Sequence, residues 1–270
     1  MCATCGCNTD ESVKLTLLDG NETRGGEEKG TGSNGHDHHH HDHHHDGHGS
    51  QKLELEKDIL HKNDLMAQRI RGYLEAKNII AINLVSSPGS GKTTLLEKTI
   101  QQLKGEIPIS VIEGDQQSTN DARRIQATGA RVVQINTGNG CHLDAEMIHQ
   151  AIDTLAPKEN SLLFIENVGN LVCPALFDLG ENKRVVIISV TEGTDKPEKY
   201  PNMFASSSLC IFNKVDLLPH VDFDLEQARE YALRVNHHLH FIETSALNME
   251  GMDLWMDWLK KQLVVKTSIP

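Results

Sequence analysis

Ser86-Ser87-Pro88-Gly89-Ser90-Gly91-Lys92-Thr93-Thr94 sits between an apolar run at 79–85 and a helical pattern at 93–103. A glycine-rich turn that leaves a strand and opens a helix is the setting a phosphate-binding loop needs. Gly89 and Gly91 let backbone N–H groups, with those of Ser90 and Thr94 beside them, converge on phosphate oxygens. The helix N-terminus adds positive potential. Lys92 is placed to neutralise the β- and γ-phosphates and the Thr93 hydroxyl to hold Mg²⁺. Ser86 stands where such loops usually start with glycine, a position that asks mainly for a tight turn. A chance glycine-rich turn is the competing reading, and the strand–turn–helix context weighs against it.

Outward from this loop, strand-like apolar runs at 79–85, 108–113, 131–135, 161–166, 184–190, 208–212 and 240–244 alternate with helical patterns at 93–103, 120–128, 144–156, 224–235 and 252–263. Several runs are apolar nearly throughout, as in parallel strands covered on both faces. The alternation predicts right-handed crossovers and an α/β fold of the P-loop NTPase kind, with a doubly wound, mostly parallel seven-stranded sheet and helices on both faces. Ahead of it, Leu53, Ile59, Leu60, Leu65, Met66, Ile70, Tyr73 and Leu74 recur at three- and four-residue spacings. They predict a surface helix over 51–78, N-capped by Ser50, with a break at Asn63-Asp64 left open. Residues 1–50 hold nine of the 16 histidines and nine of the 21 glycines with almost no apolar periodicity, so they are expected to be disordered. The division is thus a metal-binding tail (1–50), a helical segment (51–78) and a GTPase domain (79–270).

Asn213-Lys214-Val215-Asp216 decides the base. A carboxylate at Asp216 accepts from both N1–H and the N2 amine of guanine, whereas adenine offers an acceptor at N1 and lacks the amine. Unpaired buried polar groups of that kind discriminate strongly. Lys214 would lie along the ring, Asn213 would brace the loop, and Ser245 and Ala246, after the last strand, would offer N–H groups to guanine O6. In order behind a phosphate loop these residues point to GTP. Between them, Asp115 and Glu166 close two strands and are candidates for Mg²⁺ or the attacking water, and the Gly169 N–H is placed to sense the γ-phosphate. Lys92, Asp115 and Glu166 are thus the candidate catalytic groups. No arginine finger is assignable, which predicts slow hydrolysis.

The six cysteines fall into a pattern of their own. Cys141, His142 and Cys173 lie in strand-end loops and suit Ni²⁺ or Zn²⁺, although buried cysteines often serve only as small hydrophobes and the residues leave both readings open. Cys210, inside an apolar run, reads as core. Cys2, Cys5 and Cys7, with the terminal amine of Met1, make four donors in a short loop, suited to square-planar Ni²⁺. The tract His36, His38, His39, His40, His41, His43, His44, His45 and His48, interrupted by Asp37, Asp42 and Asp46, offers many exchangeable ligands and suits loose nickel buffering. The interruptions argue against a purification tag.

With 26 Lys and Arg against 38 Asp and Glu, the 270-residue chain carries a formal charge of −12, which disfavours nucleic-acid binding. No run approaches the roughly 20 apolar residues of a membrane span, and the first residues lack a basic and then apolar leader, so a cytoplasmic location and no membrane partner are expected.

Taken together, the terminal Cys2-x-x-Cys5-Gly6-Cys7, the histidine tract, the phosphate loop, Cys141-His142-Leu143-Asp144, Glu166-Asn167-Val168-Gly169-Asn170-Leu171-Val172-Cys173-Pro174 and Asn213-Lys214-Val215-Asp216 resemble the hydrogenase nickel-incorporation GTPases, the HypB family, within the SIMIBI class, over essentially the whole chain. The resemblance implies a slow GTPase that uses GTP and Mg²⁺, dimerises with GTP, carries Ni²⁺ and helps deliver it to the large subunit of [NiFe]-hydrogenase. It also implies a Ni²⁺ or Zn²⁺ site at Cys141, His142 and Cys173 near the dimer interface. The implied partners are the nickel chaperone HypA and, in some bacteria, a histidine-rich prolyl isomerase. A urease-type nickel GTPase and a protein that is chiefly a nickel store are the competing readings. The Cys141-His142 pair without an intervening proline favours the hydrogenase pathway. Spacing adds a physical link: Cys173 lies four residues beyond Gly169, so a segment reordered on loss of the γ-phosphate must drag or release that thiol.

Overall fold

The computed structural model describes residues 13–18, 48–116 and 119–267. One eight-stranded sheet runs through it, with strands β1 (Lys14–Leu18), β2 (Ile80–Ser86), β3 (Ile109–Asp115), β4 (Arg131–Asn136), β5 (Leu162–Glu166), β6 (Lys183–Ser189), β7 (Leu209–Asn213) and β8 (His240–Thr244) in the order β1-β4-β3-β5-β2-β6-β7-β8. All seven strands read from the sequence are present within two residues of their expected ends, and all seven are parallel. The eighth, β1, corrects the reading of 1–50 as wholly disordered: it pairs antiparallel to β4, with Lys14 opposite Asn136 and Leu18 opposite Val132. Leu15 and Leu17 are half-buried while Lys14 and Thr16 face outward, a period-2 pattern on a strand that covers the β4 edge of the parallel sheet.

Helices α2 (Lys92–Leu103), α3 (Asn120–Ala127) and α8 (Met252–Thr267) cover one face, where Leu95, Leu96, Ala122, Ile125 and Trp255 meet Ile82, Leu84, Val111 and Phe164. On the other face α1 (His48–Ala76) and α4 (Ala145–Leu155) pack over Ala81, Ile112, Val133, Leu163 and Ile165. The short helices α5 (Lys196–Lys199) and α6 (Pro201–Ala205) and then α7 (Leu225–Val235) extend that layer, with Met203, Phe204 and Ala228 over Val186, Cys210 and Phe212. Alternate residues of each strand feed opposite layers, which is why the runs read as apolar throughout.

Helix α1 starts at His48, ahead of the expected cap Ser50, and has no break at Asn63-Asp64. Asn63 is buried for a different reason. Its Oδ1 accepts from the Ala145 N–H (2.9 Å) at the start of α4, and its Nδ2 donates to the Asp178 carbonyl (2.8 Å). A polar residue that looked like a helix breaker is the joint between α1, α4 and the loop after Cys173. Among the described residues, no helix is long and apolar enough to cross a membrane.

Candidate functional site

Strand β2 lies between β5 and β6, and its carboxyl end opens into the phosphate loop, at the rim where open α/β sheets bind ligands. A cleft of about 500 Å³ lies there, lined by Gly89, Gly91, Lys92, Thr93, Thr94, Asp115, Glu166, Gly169 and Lys214 of the expected set, and by Asp121 and Arg124 from α3.

The loop is braced from behind. Gly91 has φ 94°, and a Cβ there would lie 2.5 Å from Asn213 Nδ2, so only glycine serves. Asn213 Nδ2 donates to the Ser90 carbonyl (2.8 Å) and Lys214 Nζ to the Gly89 carbonyl (2.7 Å), tying the segment expected to read the base to the phosphate loop. Ser90 itself is buried, its hydroxyl donating to the Ser87 carbonyl. Lys92 Nζ donates to Ser86 Oγ at 2.7 Å, so serine at the customary glycine position gives the ammonium a partner. Asp216 follows β7 in the first turn of a 3₁₀ segment, Val215–His220, beyond the lined part of the cleft. Ser245 and Ala246 are placed differently from the expectation. The Ser245 N–H donates to the Glu250 carbonyl (2.9 Å) and the Ala246 N–H to Asn213 Oδ1 (3.3 Å), so both brace the rim instead of presenting free donors.

Glu166 and Asp115 line the cleft, and Glu113 is buried beside Glu166 on the neighbouring strand. Thr93 Oγ1 donates to Glu166 Oε1 at 2.6 Å, which sets the hydroxyl and carboxylate side by side. Burial pushes the Glu166 carboxyl up and the Lys92 ammonium down, each partly restored by attraction to the other. Glu113, which sequence reasoning passed over, pairs across the sheet with Gln134 on β4 and Glu166 on β5. Its carboxyl is pushed up to about 9 by burial first and then by the Glu166 and Asp115 charges. Glu113 Oε2 and Glu166 Oε2 are buried without a hydrogen-bond partner, and Glu166, which lines the cleft beside Thr93, is the acceptor suited to a divalent cation and its waters. The available signal was an acidic residue in an otherwise apolar strand. Arg124, which lines the cleft with Asp121, was also unanticipated. It donates to Thr94 Oγ1 (3.1 Å) and is neutralised by Glu97 and Asp121.

A titration test follows for Glu113. Folded protein keeps the proton to about pH 9 while the unfolded chain releases it near 4.5, so the folded state binds the extra proton in between and stability falls as pH rises. Glu113→Gln is therefore expected to stabilise the Mg²⁺-free protein by a margin that grows between about pH 5 and pH 8, reaching about 3 kcal/mol near pH 7. Urea unfolding with a chelator present checks this, and a pH-independent margin contradicts it.

On the same rim, Cys141, His142 and Cys173 bring one ligand atom each to within 4.8 Å of one another. The two sulfurs are 3.0 Å apart, and Cys141 Sγ lies 3.7 Å from His142 Nδ1. Burial holds the His142 imidazolium below its usual range against the pull of Asp144, favouring the neutral, ligating form, and the ring stacks on Phe177 at 4.0 Å. Cys210 stays apart, as expected: it is fully buried, and desolvation raises its thiol. One segment links cluster and cleft. Gly169 packs on Pro88 so closely that a Cβ would lie 3.0 Å from its Cα, Asn170 Nδ2 donates to the Cys141 carbonyl (3.2 Å), and Cys173 begins the 3₁₀ turn Cys173–Ala175. Cys2, Cys5, Cys7 and the histidines from His36 to His45 lie outside the described residues, and His48 is described in its backbone only.

Residues 80–243 match the family described as CobW/HypB/UreG, nucleotide-binding domain. The hydrogenase maturation factor HypB of Escherichia coli K12 is 56% identical over 210 residues, covering 78% of this chain and 72% of that protein. Among solved structures, HypB from Archaeoglobus fulgidus aligns with TM-score 0.70 at 40% identity, covering 75% of this chain and 98% of that one. HypB from Helicobacter pylori in complex with nickel aligns with TM-score 0.70 at 34% identity, covering 75% and 95%. A phosphate loop braced by Asn213, a thiol–imidazole cluster one short segment away, and this degree of identity lead to one conclusion: the chain belongs to the HypB hydrogenase maturation factors of the CobW/HypB/UreG nucleotide-binding family.

Proposed function

We propose that the chain is a GTP-hydrolysing nickel metallochaperone that binds Ni²⁺ and delivers it to the large subunit of [NiFe]-hydrogenase. The observation that carries this reading is the continuous strip from Glu166, bonded to Thr93, through Gly169 against Pro88 to Cys173 in the thiol–imidazole cluster.

In this reading Lys92 leaves Ser86 for the phosphates, and the N–H groups at the start of α2 hold the remaining phosphate charge. Asp216 reads guanine, with Lys214 along the ring and Asn213 fixing both to the loop. Thr93 and Glu166, with Asp115 at the rim, would hold Mg²⁺, which would supply positive charge against the phosphates. Arg124, already paired with Glu97 and Asp121, has little free charge to offer a leaving phosphate, in keeping with slow turnover. Cys141, His142 and Cys173 hold Ni²⁺ or Zn²⁺ as cargo and leave an open position for a second subunit or acceptor. A GTP-dependent homodimer, exchange with HypA, and assistance from a histidine-rich prolyl isomerase where one is present complete the assignment, in the cytoplasm.

Loss of the γ-phosphate frees Gly169 from its reference point, and Cys173 moves with it. Nickel affinity at the cluster is accordingly expected to differ at least fivefold between the GDP and non-hydrolysable-GTP states, and by linkage nickel shifts nucleotide affinity by the same factor. Titrating Ni²⁺ into the intact chain and into a chain lacking residues 1–50, each in both nucleotide states, tests this. Equal affinities in the two states of the truncated chain defeat the coupling.

A further inference from the structure

We propose that Arg184 and Asn83 are positioning residues that hold the 173–177 side of the thiol–imidazole cluster to Asn167 in the cleft, a second connection between nucleotide and metal besides the strip at 169–173. This rests on the reading above that the cluster binds Ni²⁺ with an affinity set by the nucleotide.

Asn83 is the residue out of place. It stands in the middle of β2, where every other position but the last is apolar and all are buried. An amide there costs desolvation unless both of its ends are bonded. Its Nδ2 donates to Glu181 Oε1 (3.0 Å), and its Oδ1 accepts from Asn167 Nδ2 (3.3 Å). Asn167 follows the end of β5 and lines the cleft with Val168 and Gly169, and its own Oδ1 accepts from the Val168 N–H (3.0 Å). An apolar side chain would fill position 83 at less cost if packing were all it served.

Sheet register sets Arg184 of β6 beside Asn83. Arg184 and Glu181 form an ion pair at 2.8 Å, each side chain only 7% exposed. Glu181 Oε1 also accepts from Arg184 Nε (3.0 Å), and its Oε2 accepts from the Leu179 N–H (2.8 Å). The rest of the guanidinium turns to the segment after Cys173. Nη2 donates to the Phe177 carbonyl (2.8 Å), and Nη1 to the Ala175 carbonyl (3.4 Å) and Ser206 Oγ (2.9 Å). Ala175 closes the 3₁₀ turn that Cys173 begins, and Phe177 carries the ring stacked on His142. An unbroken line of buried hydrogen bonds thus runs from the Val168 N–H through Asn167, Asn83, Glu181 and Arg184 to the backbone that carries Cys173 and supports His142.

Such a line acts as a spacer. Stretching any link leaves a desolvated polar group unpaired, which costs more than shifting the line as a whole. A displacement of Asn167 by the phosphates therefore reaches Phe177, and with it the His142 side of the cluster, while the strip at 169–173 acts on Cys173 directly. The planar fork of arginine is what the junction needs, because a single lysine nitrogen cannot serve Glu181 and two carbonyls at once.

The test uses the full-length chain carrying Cys2→Ser/Cys5→Ser/Cys7→Ser, so that thiolate-to-nickel absorption reports the cluster, with free Ni²⁺ set by a chelator buffer. Nickel affinity is measured with GDP and with a non-hydrolysable GTP analogue, and the ratio of the two is the readout. Asn83→Leu is expected to bring that ratio below about half its parent value. Arg184→Lys is expected to do the same and to shift the thiolate-to-nickel band, and it carries the test should Asn83→Leu fold poorly. The double variant should lower the ratio no further than either single one, since both cut the same line. A ratio unchanged in both variants, whatever the loss of stability, overturns the proposal, because residues that only support the fold weaken both nucleotide states alike. If the parent chain shows no thiolate-to-nickel band or equal affinities in the two states, the functional reading falls and the line with it; a parent ratio that survives both substitutions removes the line alone.

Discussion

Asp216→Asn is expected to lower GTP affinity about 10³–10⁴-fold and to confer binding of the xanthine nucleotide. The carboxylate accepts two hydrogen bonds from guanine, N1–H and the N2 amine. An Asn amide turned to accept from N1–H places its own donor against the amine, so one bond is lost and two donors face each other. Charge-assisted bonds to a desolvated carboxylate are worth more than neutral ones, and an orphaned donor adds its own penalty. Xanthine carries an oxygen where guanine carries the amine, which restores the match. The variant should fold normally, because Asp216 sits in an exposed-side turn while the structural braces run through its neighbours Asn213 and Lys214. Competition binding with GTP, ATP and XTP checks it. An unchanged preference would mean that the base is read elsewhere, and retained ATP binding would undo the assignment of the cleft.

The second large effect is expected at Lys92. Lys92→Ala should reduce GTP turnover by at least about 10²–10³-fold, since Lys92 is the buried cation of the phosphate loop, Arg124 is neutralised by Glu97 and Asp121, and Lys214 is held on the Gly89 carbonyl. Stability should change little. Burial already disfavours the ammonium, so removing it relieves a desolvation cost while Glu166 loses an attractive partner and takes up a proton more readily. Nickel binding by the variant should persist. Hydrogenase maturation in cells at limiting nickel then discriminates the readings: a store would sustain it, whereas a GTP-driven inserter would not. Single-turnover hydrolysis with purified protein gives the rate, and thermal unfolding controls for folding.

The proposed linkage between nucleotide and metal has a physical basis in how little chain separates the cleft from the thiol–imidazole cluster. Gly169 is seated on Pro88 with no room for a side chain, and Asn170 holds the Cys141 carbonyl. Close-packed contacts of this kind do not deform gradually, so a shift at one end is passed on as a change of arrangement. The loop beyond Cys173 is anchored separately, through Asn63 of α1 and the Arg71–Asp178 ion pair, which confines any movement to the segment between.

Much of this was legible before folding. The seven parallel strands, five of the seven α-helices after the phosphate loop and the turn from Gly89 to Thr94 are local patterns, set by period, turn chemistry and the residue types a phosphate demands. A residue's long-range partner is not written in its neighbours. β1 was hidden because five alternating residues are too few to stand out from a glycine- and histidine-rich surrounding, and because its pairing depends on the free edge of β4. Asn63 looked like a helix interruption until α4 and the Asp178 loop arrived to satisfy both ends of its amide. Glu113 acquires its character first from burial inside the sheet and then from Glu166, more than fifty residues away but next to it there. The N–H groups of Ser245 and Ala246 were taken by Glu250 and Asn213, partners visible only in three dimensions. Sequence alone therefore determined the parallel α/β framework, the kind of nucleotide loop and the ligand types available. Tertiary structure decided which of those ligands meet, which carboxyl stays protonated and which edge of the sheet β1 covers, because pairing direction and burial are properties of distant segments brought into contact.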